Sequence, residues 1–404
     1  MTHSAELEKF SKQVETHLFG HILPFWSGPA LDHENGGWMA WLSNELKPDR
    51  SQPKGLIVNT RILWAFSAAF RTRPDPLYQQ MAGRAFDFIT TKFWDAQRGG
   101  AFWRLNDKGE VIDDSKKIYG QAFYIYAMSE FHQAFRNRSA LDQAKELFEL
   151  IERNVHDAKF GGYIEVCQRD WSEAGPEARL SDKDMSEKKS MNNHLHVLEA
   201  YTNLYRVWRE PRVAKRLHQL VELFLTRILD ARTKHLHHFF NEQWEVRSDT
   251  YTFGHDIEAS WLLCETAEAL GDEKLLKRVH SVALEMAQAV FDEALGADGS
   301  LCYEGRAGQI VDPGRECWPQ AEAVVGFLNA YEISRDAKFF TAALRVWNYI
   351  ENNLVDRVHG EWFWRINPDG IVDATLPKIS EWKGPYHATR ACLETMRRVR
   401  KLHG

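Results

Sequence analysis

Three histidines stand in comparable places, each just inside the start of an apolar helical pattern: His196 in MNNHLHVLEA, His255 in FGHDIEASW and His387 in GPYHATR. An imidazole titrates at about 6.5, so near neutrality it serves as either acid or base. Two of them facing one bound molecule could remove a proton from one side and return one from the other. Comparable starts elsewhere carry Asn59 and Arg61 (VNTRILW), Tyr119 and Gln121 (IYGQAF), and Trp318 and Glu322 (CWPQAEA). Arg61 is a permanent cation able to stabilise a developing oxyanion.

Helical spacing sorts these groups. His255 and Glu258 are i, i+3 and share a face, whereas Asp256 points elsewhere; Trp318 and Glu322 are i, i+4. His194 and His196 are i, i+2, so one faces a cavity and the other the packing. His196 is the better candidate, because Asn192 and Glu199 lie on its face. A single histidine on a buried helix is more often a hydrogen-bonded core residue; three at equivalent positions argue for a site. HLHH at 235–238 would put His235 and His237 on one face of a strand, but it lacks a third partner and an HExxH pattern, so no metal is expected. With no GxGxxG or Walker pattern, no nucleotide or redox cofactor is expected either.

Something must gather groups so far apart in the chain. Six segments resemble one another: GGWMAWL (36–42), GGAFWRL (99–105), GGYIEV (161–166), HLHHFFNEQW (235–244), DGSLCYE (298–304) and HGEWFWRI (359–366). Each is a short, aromatic, strand-like run, and most follow an Asp closing a helical pattern, as in WDAQRGG and HDAKFGG. They recur about 61 to 75 residues apart, the mark of a repeat architecture.

The apolar period between them is that of helices. One helix precedes each segment (5–26, 76–95, 139–157, 211–230, 273–294, 337–355), and its long polar face suits an outer ring. A second, more apolar helix follows (58–71, 118–134, 192–208, 254–270, 317–333, 386–400) and suits an inner ring. The expected fold is an all-α (α/α)6 barrel, with short β-hairpin segments at one mouth, formed by residues 1–404 as a single domain. The period alone leaves a linear helical solenoid open. In a closed barrel the six inner-helix starts surround one opening, and their unpaired N–H groups favour an anionic intermediate there. The polar stretch QRDWSEAGPEARLSDKDMSEKK widens the third interval as an insertion.

Composition narrows the class. The 404 residues are 44% hydrophobic and 27% charged with net charge −6, an ordinary globular balance without the basic stripe of a nucleic-acid binder. No apolar run approaches the ~20 residues of a membrane span, and MTHSAELEKF resembles neither a signal peptide nor an anchor. Five cysteines without CxxC spacing read as thiols of a cytoplasmic protein. Fifteen tryptophans suit a site that stacks sugar rings, although core packing also uses them.

The blocks NTRILW, SMNNHLHVLEAYTNLYRVW, FGHDIEASWLL, WPQAEAVVGFLNAY and EWKGPYHATRACLE resemble the motifs of cellobiose 2-epimerases, in the N-acylglucosamine 2-epimerase superfamily, from about residue 15 to the C-terminus. The resemblance implies an (α/α)6 barrel and a cofactor-free inversion of C2 in a reducing-end aldose, through a cis-enediolate. Position by position it implies His255 and His387 as the acid/base pair, and His196 as an aid to ring opening and closure. It implies Arg61 beside the intermediate and Glu258 as the carboxylate orienting the first histidine. Asn192 and Tyr119 match groups that bond the reacting sugar, Trp318 and Trp382 aromatic platforms, and Asp184 and Tyr303 contacts with an outer sugar. Glu322 is a further candidate for sugar binding. His387 is expected to deprotonate the gluco form and His255 the manno form. The expected partner is a mono- or disaccharide, with no nucleic acid or membrane, and the chain is expected as a monomer or weak homodimer. A monosaccharide 2-epimerase, an aldose–ketose isomerase, an N-acylglucosamine 2-epimerase, an inverting glycoside hydrolase using Glu258 and Glu322, and a non-catalytic scaffold are the alternatives.

Overall fold

A computed structural model describes residues 4–403; positions 1–3 and 404 of the expected 1–404 unit lie outside the described residues. Six helix pairs alternate along the chain. The first members are α1 (Ser4–His17, continued by a π turn Leu18–Ile22 and a last turn Leu23–Trp26), α3 (Pro76–Phe88), α5 (Arg138–Asn154), α7 (Pro211–Leu223), α9 (Glu273–Glu293) and α11 (Ala337–Tyr349). The second members are α2 (Leu56–Thr72), α4 (Ile118–Phe135), α6 (Met191–Val207), α8 (Phe253–Leu270), α10 (Cys317–Ser334) and α12 (Tyr386–His403). Like α1, the helices α3, α7 and α11 end in a π turn.

Sequence explains which ring each joins. The outer helix α5 buries one stripe, Ala140, Ala144, Leu147, Phe148 and Ile151, and turns charge to solvent. The inner helix α4 is buried on every side from Ile118 to Phe131. Outer helices α3, α5, α7, α9 and α11 are N-capped by Asp75, Asn137, Glu210, Asp272 and Asp336, each such cap contributing about 1 kcal/mol. Most inner helices instead begin without a side-chain cap; the first N–H of α2 donates to Trp103, that of α4 to Glu165 and that of α10 to Trp364, backbone carbonyls in the next repeat.

Those bonds belong to a circular belt. The two residues before each of the first five inner helices pair antiparallel with the aromatic segment of the following repeat: Lys54–Gly55 with Arg104–Leu105, Lys116–Lys117 with Val166–Cys167, and so on to Arg315–Glu316 with Arg365–Ile366. The sixth repeat pairs with the first, Ile379 bridging Leu42 while the Lys378 N–H donates to the Leu42 carbonyl at 2.8 Å. Each inner helix packs on the next, and α12 on α2. The barrel is therefore closed, and the linear solenoid is excluded.

The Asp that closes the outer helical pattern in five of the six repeats has a defined task. The carboxylates of Asp32, Asp95, Asp157, Asp230 and Asp356 accept backbone N–H groups two and three residues on, folding the turn into the aromatic strand. In four repeats a buried lysine then pins that Asp: Lys54 to Asp32 at 2.6 Å, Lys116 to Asp95 at 3.1 Å, Lys189 to Asp157 at 2.7 Å and Lys378 to Asp356 at 2.5 Å. The fourth repeat departs. Tyr251 stands at the lysine position and stacks on His235, ring centroids 3.8 Å apart, while His235 Nδ1 meets Asp256 at 2.8 Å.

Candidate active site

The inner-helix starts converge on a cavity of about 550 Å³. Eleven of the twelve residues singled out above line it: Arg61, Tyr119, Asp184, Asn192, His196, His255, Glu258, Tyr303, Trp318, Trp382 and His387. Glu322 does not. It is fully buried behind His387 and binds that imidazole instead of forming the cavity wall.

Each of the three histidines has its Nδ1 tied to a buried group. His196 Nδ1 meets Glu199 Oε2 at 2.9 Å, His387 Nδ1 meets Glu322 Oε1 at 2.7 Å, and His255 Nδ1 meets Thr252 Oγ1 at 2.5 Å. For His255 and His387 this leaves Nε2 as the nitrogen with no partner among the described residues. Glu258 is not the group that orients His255, as the resemblance implied; Thr252 does so, and Glu258 accepts from Arg390. Thr252 is itself flanked by His238, whose Nε2 accepts the Thr252 N–H at 3.1 Å. Both catalytic-candidate rings flank one indole: Trp318 lies 4.7 Å from His255 and 5.7 Å from His387, centroid to centroid.

Electrostatics keep these rings neutral. Burial, reinforced by His238, His196 and His387, holds His255 well below the ordinary histidine range. Burial, with Arg61 and Arg390 adding to it, does the same to His387. Arg61 donates to the Trp382 carbonyl at 2.8 Å and the Tyr119 hydroxyl at 2.9 Å, and its guanidinium lies 4.6 Å from the Phe123 ring centroid. Among the described residues its buried Nε has no partner, nor has Asn192 Oδ1; a bound polar molecule would satisfy such groups. Burial raises the Tyr119 phenol to about 12, against the pull of Arg61.

His194 and Asp256 occupy one structural position, one turn into their helices, and both serve the fold. His194 Nε2 accepts the Tyr163 N–H at 2.9 Å, and Asp256 accepts the Leu236 N–H at 2.8 Å. Gln121 and Gln320 hold Ala101 and Leu301 in the same way. The preference for His196 over His194 thus agrees with their placement. His235 is taken up by Asp256, Glu293 and Tyr251 in a segment whose strand begins only at Phe239, so HLHH forms no shared strand face.

Among the described residues, the donor atoms of Glu258, Glu322 and His387 lie within 4.8 Å of one another. Arg390 already supplies positive charge there, its Nη2 donating to both carboxylates. The same tie unsuits the two glutamates as an inverting hydrolase pair, which stands about 6.5–9.5 Å apart across the scissile bond.

Several lining residues escaped the sequence reading. Glu381 takes a bidentate bond from Arg104, at 2.6 and 2.7 Å, beside Trp382. Buried Glu316 accepts from Trp318 Nε1 at 3.0 Å and from Trp364 Nε1 at 3.4 Å, fixing two indoles in the wall. The FWR of FWRL and FWRI, shared by two repeats, was the available signal for Arg104 and Trp364.

Comparison with known proteins decides the family. Residues 37–391 match the model described as N-acylglucosamine 2-epimerase. The chain belongs to that family. A cellobiose 2-epimerase of Bacteroides fragilis is 40% identical over 391 residues, covering 96% of this chain and 99% of the relative. The solved cellobiose 2-epimerase of Spirochaeta thermophila is 41% identical, covers 100% of both chains and superposes with a TM-score of 0.91. That of Bacillus thermoamylovorans is 39% identical over 97% of this chain and 100% of its own, with a TM-score of 0.91. These full-length likenesses bear out the (α/α)6 barrel.

Proposed function

We propose that this chain is a carbohydrate 2-epimerase that inverts C2 of a reducing-end aldose, cellobiose being the preferred substrate class, with His255 and His387 as alternating base and acid. The observation that carries the reading is the pair of neutral imidazoles flanking Trp318 in one cavity, each with Nδ1 engaged and Nε2 left over.

The chemistry follows from those groups. The open-chain aldehyde makes the C2 proton removable. One neutral imidazole takes that proton on Nε2, and the C2–H electron pair moves into the C1–C2 bond to give a cis-enediolate. Arg61 and the Tyr119 hydroxyl it bonds face the developing oxyanion, an interaction that strengthens as charge forms. The second histidine, which first takes a proton from solvent on its own Nε2, returns it to the opposite face of C2; the aldehyde reforms with the centre inverted, and the first ring passes the proton it took to solvent. His387 acts first on the gluco form and His255 on the manno form. His196, held by Glu199, assists proton transfer in opening and closing the ring.

The cavity extends from the histidines past Trp318, Tyr303 and Trp382 to Leu180–Asp184 in the inserted loop. Asp184 is held there by Ser181, and Lys117 fixes the loop through the Leu180 carbonyl at 2.8 Å. That extension and the names of the relatives support a disaccharide. A cytoplasmic, cofactor-free enzyme working as a monomer or weak homodimer completes the proposal. Incubation with cellobiose and, separately, mannose, followed by NMR at C2, tests it: glucosyl-mannose forms faster than glucose does from mannose. Inversion of mannose alone makes it a monosaccharide epimerase, a ketose product an isomerase, and free glucose from cellobiose a hydrolase.

A further inference from the structure

The inner helices meet a second time below the histidines, around a single guanidinium. Arg390 on α12 is fully enclosed, between the Tyr386 ring at 4.3 Å and the Trp261 ring at 4.8 Å. Its Nη1 donates to Glu199 Oε1 and to the Tyr386 hydroxyl, and its Nη2 to Glu258 Oε1 and, at 2.7 Å, to Glu322 Oε1. Two of those carboxylates are the ones that hold His196 and His387. We propose that Arg390 is a positioning residue for the reaction: through Glu199 and Glu322 it fixes His196 and His387 as Nδ1–H tautomers, so that Nε2 of each presents a lone pair to the cavity.

The inference rests on the two-histidine reading above and extends it. An ionised carboxylate only accepts hydrogen bonds, so an imidazole nitrogen bound to it must carry the proton. A protonated carboxyl would instead donate to Nδ1, leaving the proton on Nε2 and no base toward the sugar. Three carboxylates converging on one buried point repel one another's charge. Burial raises Glu322, and burial together with Glu322 raises Glu258 to about 7, with Arg390 the main opposing influence on both. Burial would raise Glu199 as well, but Arg390 and His196 bring it down to about 2. The groups facing this centre are Arg61 from α2, Tyr126 from α4, His196 and Glu199 from α6, Glu258 from α8, Glu322 from α10, and Tyr386 and His387 from α12. Arg61 and Arg390 are the cations among them, and Arg390 is the one that touches the carboxylates.

Arg390 also lines a separate cavity of about 440 Å³ at the opposite end of the barrel. Its seat, enclosed in the wild-type protein, adjoins that cavity, so truncating the side chain opens it to a small cation from the far mouth.

The tests use the full-length chain. In the wild-type protein, ring-nitrogen NMR at neutral pH shows His196 and His387 as Nδ1–H tautomers; Nε2–H at either position overturns the proposal. Arg390→Ala lowers kcat for C2 inversion about 100-fold or more with KM within about threefold, and moves the acid limb of the kcat profile upward by about one unit, as loss of a cation at 4–6 Å does. Methylguanidinium restores at least about tenfold of that rate. Arg390→Lys keeps the charge but not the fork, so it falls between the two with a smaller shift. A folded Arg390 variant whose rate stays within threefold of wild type, or whose rate drops with an unmoved profile and no rescue, sinks the positioning role. Failure of the wild-type protein to exchange C2–H would instead sink the epimerase reading beneath it.

Discussion

The two ends of the barrel are built from the same six helices, yet they differ in how their titratable side chains are engaged. At the far mouth, where the inner helices end, Arg71 meets Glu130 at 2.5 Å, Arg206 meets Glu265 at 2.8 Å and Arg397 meets Glu394 at 2.6 Å. Charge there is largely spent within the protein. At the near mouth, where the inner helices begin, His196, His255 and His387 are each anchored through Nδ1 alone among the described residues. Polarity alone does not make a site; bonding capacity left over and aimed at one cavity does.

The sharpest way to break this contrast is at the near mouth. His387→Asn and His255→Asn each lower deuterium exchange at C2 by about 10³-fold, within the range general acid–base groups contribute, while the thermal midpoint stays close to that of the parent. Full exchange in either variant would put the two mouths on an equal footing.

The next effect concerns a histidine whose two nitrogens are both occupied. His194 donates from Nδ1 to the Ser190 carbonyl and accepts at Nε2, and burial holds it at about 4. Its folded value lies below the unfolded one of about 6.5, so below pH 6.5 the unfolded chain binds a proton that the folded chain refuses. Stability therefore falls as pH drops from 6.5 toward 4, by about 2 kcal/mol at pH 5 from this group. His194→Gln installs the residue used at the same position as Gln121 and Gln320. Denaturant titrations of this variant at pH 7 and pH 5 then show the smaller difference; an unchanged pH slope would contradict the assignment.

The smallest effect belongs to the far mouth. Arg71 is 45% exposed, and Glu130 keeps bonds from Gln133 and Asn203 without it. Arg71→Ala costs about 1 kcal/mol or less and leaves C2 exchange at the parent rate, as chemical denaturation and the exchange assay would show.

The architecture was largely written in local pattern. The 3.6-residue period placed the helices within a few residues, and Asp before Gly-Gly or Gly located the turns, because both signals lie inside one repeat. Spacing also separated His196 from His194, since two residues apart on a helix means different faces. Glu199, the partner of His196, was legible in the same way, but the partner of His387 was not. Glu322 reaches His387 from the neighbouring inner helix and Glu199 reaches Arg390 across the barrel, each from a separate repeat, and no local period records such a meeting. Thr252 was overlooked because it sits in the strand before α8, outside the helical face where Glu258 drew attention. The HLHH run misled for the opposite reason: its histidines are close in sequence, but His235 fills the place that lysine-anchored repeats leave to another residue.

The handover of strand from the sixth repeat to the first, through Lys378, Ile379 and Leu42, reaches beyond the placing of side chains. An open array frays from its ends, because its terminal units have one neighbour each. Here every unit is gripped from both sides. Loosening any one repeat means breaking two seams at once, so the circle resists piecemeal unravelling and gives way as a whole.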